Sequence, residues 1–204
     1  MEDAGTETRR TARGRATRAR IVDAAADLMF LGGVACTSLD EVLAASGTSK
    51  SQLYHYFSDK DDLVLAVIRR QTERVFAMQK PYLAELDSLA GLRRLCDASI
   101  ELQRQLNCVG GCPIGSLAAE LAESPQTRAL LAESFEQYES YLVAGFTAMR
   151  DRAELKPGAD PADLATAVIA AVQGGLLLTQ TTRTTRPLEL ALDMALDHVA
   201  AQLR

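Results

Sequence analysis

The 204-residue chain predicts an all-α fold, with a small N-terminal three-helix unit followed by a larger helical unit. Three observations predict it. Ala and Leu dominate, Trp is absent and aromatics are only 5% of residues, a balance that favours helix. Apolar side chains recur at three- and four-residue spacing, and no strand-like alternation lasts beyond a few residues. Pro and Gly fall between these periodic stretches, where they start and stop helices.

Residues 1–14 are polar and predict a disordered arm. From about 15 to 31, Ile21, Ala24, Ala25, Leu28 and Met29 make one helical face, which Gly32-Gly33 stops. Ser38 with Glu41 forms a capping box for a short helix, with Thr37 and Asp40 as the alternative register. Leu39, Val42 and Leu43 are its buried stripe, and Ser46-Gly47 ends it. Ser49 with Gln52 is a second capping box, and Leu53 and Phe57 face inward. Ser58 is placed to cap a long helix that continues to about Lys80, where Pro81 marks a break or kink. Further helices are expected near 88–106, 113–123, 126–152, 160–181 and 187–203.

The net charge of −5 is unevenly spread. Residues 9–20 hold six arginines and no acid, and residues 1–60 balance eight basic against eight acidic side chains. The rest of the chain therefore carries the whole deficit, which fits a nucleic-acid-binding end on an acidic body. No window approaches 18 uninterrupted apolar residues and no apolar stretch follows the arginines, so neither a membrane span nor a secretory signal is expected. The expectation is a cytoplasmic protein whose Cys36, Cys96, Cys108 and Cys112 are reduced.

Residues 37–63 read as a helix-turn-helix, with the turn at Ala45-Ser46-Gly47-Thr48. The second helix runs from about Ser49 to Tyr56 and exposes Ser49, Lys50, Ser51, Gln52, Tyr54, His55 and Tyr56. Hydroxyls at a helix N-terminus suit phosphate oxygens. Gln52 suits an adenine edge, Lys50 a guanine or phosphate, and Lys60 a second phosphate. The arginine arm offers further phosphate or minor-groove contacts.

The segment from Arg20 to Leu63 resembles the TetR/AcrR family of bacterial transcription regulators. The matching residues are Ile21, Ala24-Ala25, Gly33, Thr37-Ser38, Ser46-Gly47, Ser49, Leu53-Tyr54, Phe57, Lys60 and Leu63. Leu43, where the family often has Ala, and Cys36 depart from the pattern. The resemblance implies DNA contacts at Ser38, Thr48, Ser49, Lys50, Tyr54, His55, Tyr56 and Lys60. It also implies a homodimer on a palindromic duplex operator and a small-molecule effector, most often acting on a repressor. The expected organisation is an arm over 1–14, a DNA-binding domain over 15–60 and a ligand-binding and dimerisation domain over 61–204. No enzyme activity, cofactor or metal is expected.

Residues 164–178 are apolar almost all round, which predicts a helix buried on more than one face. With the last helix it is expected to form the dimer interface, through Ala167, Ala170, Ala171, Gly174, Gly175, Leu178, Leu192, Leu196 and Val199. The resemblance implies a four-helix interface from these two helices of each subunit. The middle helices would enclose the effector pocket. Candidate lining residues from the first of them are Phe76, Tyr82, Leu102 and Leu106. Ile114, Leu117 and Leu121 follow, and then Phe135, Tyr138, Tyr141, Leu142, Phe146 and Met149. Few charges fall on these faces, which points to an apolar or aromatic ligand.

Cys108 and Cys112 flank Gly110-Gly111 at a predicted helix start, a position that lowers a thiol pKa. They form a candidate switch for oxidants or electrophiles, against the alternative of inert structural thiols. Zinc is disfavoured because no second ligand pair is near and His55 and His198 are remote in sequence. A thiol-dependent redox enzyme is the alternative from another class, but the chain lacks a Cys-x-x-Cys motif and any βαβ pattern.

Overall fold

The computed structural model describes residues 12–204. Nine helices are present among the described residues: α1 (Ala12–Gly32), α2 (Leu39–Ser46), α3 (Lys50–Tyr56), α4 (Lys60–Leu83), α5 (Leu89–Gln105), α6 (Pro113–Leu121), α7 (Pro125–Asp151), α8 (Pro161–Thr182) and α9 (Arg186–Ala201). The chain divides into two compact units, Met1–Arg70 and Gln71–Arg204, and the division falls inside α4.

In the first unit, Ile21, Val22, Ala25, Ala26 and Met29 of α1 are buried, as are Val42, Leu53, Phe57 and Leu63. Helix α1 begins at Ala12, so Ala12, Arg13 and Gly14 are helical rather than part of a disordered arm. Arg, Ala and Thr sustain the helix there, and the Thr17 hydroxyl donates back to Arg13 O (3.1 Å). Residues 1–11, including Arg9 and Arg10, lie outside the described residues. Both expected capping boxes form. Thr37 does not offer an alternative cap, because its hydroxyl donates to Gly33 O (2.8 Å) and the residue is buried. Asp59 rather than Ser58 caps α4, since Asp59 Oδ1 accepts from Asp62 N (2.8 Å). A carboxylate at that place also faces the positive helix end. Pro81 lies inside α4, two residues before its end at Leu83.

In the second unit, α8 and α9 pack against α5 and α7 around a core that includes Leu92, Leu95, Leu142, Phe146, Met149, Leu188 and Leu192. Each of α6, α7, α8 and α9 carries Pro in its first turn, where the missing N–H has no intrahelical partner to lose. Helix α8 is long and apolar enough to cross a membrane by length and composition. Its Leu164, Ala165, Val168, Leu176 and Thr179 are buried in this unit. After α7 a single antiparallel bridge joins Leu155 to Leu203.

Candidate functional site

The helix-turn-helix is α2, a short turn and α3. Its exit angle rests on Gly47, whose φ of 60° is left-handed and whose N–H reaches Ala44 O and Leu43 O. Ala45 and Ser46 belong to α2, so the turn is shorter than expected and begins at Gly47. Ser46 and Thr48 share a hydroxyl–hydroxyl hydrogen bond of 2.7 Å that braces it.

Helix α3 is amphipathic over seven residues. Leu53 is fully buried and Phe57 nearly so, while Ser49, Lys50, Ser51, Gln52, Tyr54 and His55 are exposed. Tyr56 is half-buried, with its ring edge-on to His55 at 4.8 Å. Ser38 is exposed at the start of α2. Most of the expected contact residues are thus exposed, with Thr48, Tyr56 and Lys60 half-buried.

Several of them are already engaged. Gln52 Oε1 accepts from Ser49 N (2.9 Å), while Ser49 Oγ accepts from Gln52 N (3.2 Å). A bidentate adenine contact needs that same carboxamide oxygen, so cap and base readout compete. Lys60 Nζ donates to Val34 O (2.6 Å), which leaves two ammonium protons for a phosphate. Glu41 accepts from Ser38 N (2.7 Å), and this backbone hydrogen bond holds its carboxyl below the usual carboxylate value. Of the described arginines, Arg13, Arg15 and Arg20 are exposed on α1, whereas Arg18 lies over the Phe57 ring at 5.1 Å.

The second unit contains a cavity of about 40 Å³. Helix α4 contributes Val75 and Gln79 to it, the start of α6 Cys112 and Ile114, and α7 Phe135 and Tyr138. Helix α8 closes it with Ile169, Val172, Gln173 and Leu176. An open groove of about 560 Å³ between α6 and α8 shares Cys112, Phe135, Gln173 and Leu176 with this cavity, so the two adjoin. Burial raises the Tyr138 phenol pKa, against an opposing contribution from the Gln79 side chain. Cys112 is the N-cap of α6. Its sulfur accepts from Gly115 N (3.3 Å) and from Gln173 Nε2 (3.5 Å).

Two family descriptions match this chain. "Bacterial regulatory proteins, tetR family" covers residues 21–67, and "Tetracyclin repressor-like, C-terminal domain" covers residues 88–195, more than half the sequence. An uncharacterized HTH-type transcriptional regulator from Lactococcus lactis is 31% identical over 186 residues, covering 88% of this chain and 91% of that protein. The chain belongs to the TetR family. The HTH-type transcriptional regulator LmrA of Bacillus subtilis is 28% identical, covering 84% of this chain and 90% of its own. A crystal structure of a TetR transcriptional regulator from Chloroflexus aurantiacus superposes with a TM-score of 0.80 at 26% identity, covering 94% of this chain and 98% of that one. The protein is thus a TetR-family helix-turn-helix transcription regulator with a helical C-terminal domain.

Of the pocket residues expected for this TetR-family chain, Ile114, Phe135 and Tyr138 do line the cavity. Tyr82 and Leu102 line instead a groove of about 220 Å³ that shares Gln79 with the cavity. Leu142, Phe146 and Met149 do not border either space: they are packed core, at most 2% exposed. Leu117 is likewise buried and Leu121 half-buried. Leu106 and Tyr141 are exposed at about 40%, and Phe76, whose ring is tilted against those of Tyr138 and Tyr141, does not line the cavity. Sequence reasoning missed Val75, Gln79 and the α8 residues. Ile169, Val172 and Leu176 share a helical face, but an all-round apolar helix hides which face closes a cavity.

The interface candidates also separate into two sets. Leu192, Leu196 and Val199 are buried in the core of their own chain. Gly175 is buried as well, and a Cβ there would sit 2.8 Å from Leu188 Cδ1, so it serves the α8–α9 contact within one chain. Ala167, Ala170, Gly174 and Leu178 are exposed, and Ala171 is half-buried. Leu177, Leu190 and Met194, which the expected set omitted, are more than half exposed.

Cys108 and Cys112 are both free thiols, Cys108 buried and Cys112 half-buried. The loop between them is held in an uncommon backbone state: Asn107, Cys108, Gly110 and Gly111 all have positive φ. Arg183 Nη1 clamps it by donating to Cys108 O (2.9 Å). Cys96 is buried in the core, and that burial pushes its thiol up to about 12.

Proposed function

We propose that this regulator is a ligand-responsive repressor that binds a palindromic duplex operator as a homodimer in the cytoplasm and releases it when a small apolar or aromatic molecule occupies the C-terminal cavity. The observation that carries the reading is the surface of α3, where Lys50, Tyr54 and His55 stand exposed on a helix anchored by fully buried Leu53. Ser38, Thr48, Ser49, Ser51, Gln52, Tyr56 and Lys60 complete the proposed DNA contacts. Two α3 helices in a dimer would read half-sites about one helical turn apart.

The apolar outer faces of α8 and α9 support the dimer. Leu177 and Leu178 on α8 and Leu190 and Met194 on α9 are each more than half exposed, and large apolar side chains exposed in number are of the kind that marks a protein interface. Val75 and Gln79 of the cavity wall stand on α4, the helix that begins at Lys60. Ligand binding there has a continuous helix through which to act. A near-complete switch needs about 5.5 kcal/mol of differential binding. The test is a gel shift with duplex DNA flanking the protein's own coding region. Specific, salt-sensitive binding by a light-scattering dimer is expected. A monomer, or equal affinity for unrelated duplexes, refutes the reading.

One observation favours a second reading, in which oxidation or alkylation of Cys112 switches the regulator. The Cys112 sulfur borders the cavity and receives two N–H groups. Operator release by diamide that persists in the Cys108→Ser, Cys112→Ser double variant eliminates it.

A further inference from the structure

The capping box of α3 fixes which end of the Gln52 side chain is free. A backbone N–H can only donate, so the side-chain atom 2.9 Å from Ser49 N is Gln52 Oε1. In return Ser49 Oγ accepts from Gln52 N (3.2 Å), and the two hydrogen bonds close the box. The carboxamide is thereby held by its oxygen end. Its Nε2 keeps two N–H groups, and among the described residues neither has a partner in the chain. Gln52 is exposed and is the third residue of α3, near the end of the helix that meets base edges in a helix-turn-helix.

An adenine edge in the major groove presents one acceptor, N7, and one donor, N6, and it is matched by a carboxamide that offers both its ends. A guanine edge presents two adjacent acceptors, N7 and O6, and is matched by donors alone. Thymine has one acceptor beside a methyl group, and cytosine has only a donor. Turning the Gln52 oxygen towards adenine takes it from the Ser49 N–H, whereas meeting guanine leaves the box intact. We propose that Gln52 reads guanine rather than adenine, with Nε2 donating to N7 and O6 while Oε1 stays on Ser49 N. This rests on the operator-binding reading above and assigns the base that one of its contacts selects. Lys50 is likewise exposed on α3 and carries only donors, so the guanine read by Gln52 is recognised by its response to changes at Gln52.

The test selects binding sites from random duplexes with the full-length wild type, Gln52→Ala and Gln52→Glu. The base pair whose preference disappears in Gln52→Ala is the one that faces Gln52. In the wild type that pair is expected to be G·C, with guanine favoured at least about fivefold over every other base, the margin of one base contact. Glutamate keeps the box, because one carboxylate oxygen accepts from Ser49 N, and it presents the other oxygen as an acceptor. Gln52→Glu should therefore move the preference from guanine to cytosine or adenine, whose amino groups donate. An A·T pair at the wild-type position overturns the proposal. So does a guanine preference retained in Gln52→Glu, or an identical set of selected sites in wild type and Gln52→Ala. Either variant identifies the position, so the test decides even if the other does not fold. A wild type that enriches no sequence refutes the operator-binding reading and this inference with it. A defined operator with A·T at the Gln52 position keeps that reading and refutes the base assignment alone.

Discussion

Helices α3 and α6 begin alike and end up with different partners. Ser49 and Cys112 each accept an N–H from three residues ahead, at 3.2 and 3.3 Å. At α3 the cap is closed locally, because Gln52 Oε1 accepts in turn from Ser49 N. At α6 the second donor to the cap is Gln173, 61 residues away on another helix. The first arrangement fixes the start of a short helix, over a buried Leu53, whose exposed face is the proposed reading surface. The second ties a loop of positive-φ residues to the wall of a cavity. A local cap positions a contact surface, whereas a long-range cap can respond to what fills the space beside it.

The sharpest test of that contrast uses neighbours on α3. Leu53→Ala removes a fully buried side chain and is expected to destabilise the N-terminal unit by about 2–5 kcal/mol in urea denaturation. Tyr54→Ala, at 49% exposure, should leave stability within about 0.5 kcal/mol. It should nevertheless weaken operator binding at least about tenfold, the size of one lost base or phosphate contact. Wild-type affinity in Tyr54→Ala would break the assignment of α3 as the reading surface.

Alkali tests the second region. The Cys96 thiol ionises near 9 when unfolded and at about 12 in the fold, because burial disfavours the thiolate. The sign is that of a raised pKa: the stabilisation is complete below 9 and is lost as pH rises towards 12. The loss approaches about 1.4 kcal/mol per pH unit within that window. Melting temperatures of wild type and Cys96→Ala measured at pH 9 and 11 should therefore converge with rising pH. A constant gap would show that Cys96 does not titrate this way.

The contrast also explains what was legible in the sequence. Both capping boxes, the Gly47 stop and the four first-turn prolines involve residues within four positions of each other, so spacing alone revealed them. The alternation of faces on α9 was harder. Leu188, Leu192, Leu196 and Val199 point inward while Leu190 and Met194 point out, and every one is apolar. Hydrophobicity therefore could not choose which stripe meets solvent, and three core residues were assigned to an interface. The cavity was least legible. Gln79 looks like an ordinary polar position on α4, and Gln173 is embedded in an apolar run. Only the packing of α4, α6, α7 and α8 brings them to one wall. Leu142, Phe146 and Met149 have the character of pocket residues, yet they fill the core instead.

Ser49→Ala then measures the local cap itself. Loss of the N-cap hydroxyl is expected to cost about 0.5–2 kcal/mol, typical of an exposed cap. The hydrogen bond from Ser49 N to Gln52 Oε1 survives the change, but without the Oγ that accepts from Gln52 N the box is open on one side, so base discrimination at the Gln52 position should change along with affinity. A variant that loses stability but keeps an unaltered preference across single-base operator substitutions would mean that cap and readout are not coupled through Gln52.

The smallest expected effect lies at the neighbouring box on α2. Glu41 accepts from both the backbone N–H and the hydroxyl of Ser38, and its carboxyl pKa is held below 4.5 first by the backbone hydrogen bond. A lowered carboxyl pKa stabilises above the unfolded value and is lost as pH falls through the folded one. The wild type should therefore lose slightly more stability than Glu41→Gln between pH 6 and pH 3, since glutamine keeps an acceptor without titrating. The residue is fully exposed, so solvent screening keeps the difference small, and it should shrink further at high salt. An identical acid response in the two proteins would show that the Ser38–Glu41 box holds α2 through geometry alone, with no contribution from the carboxylate charge.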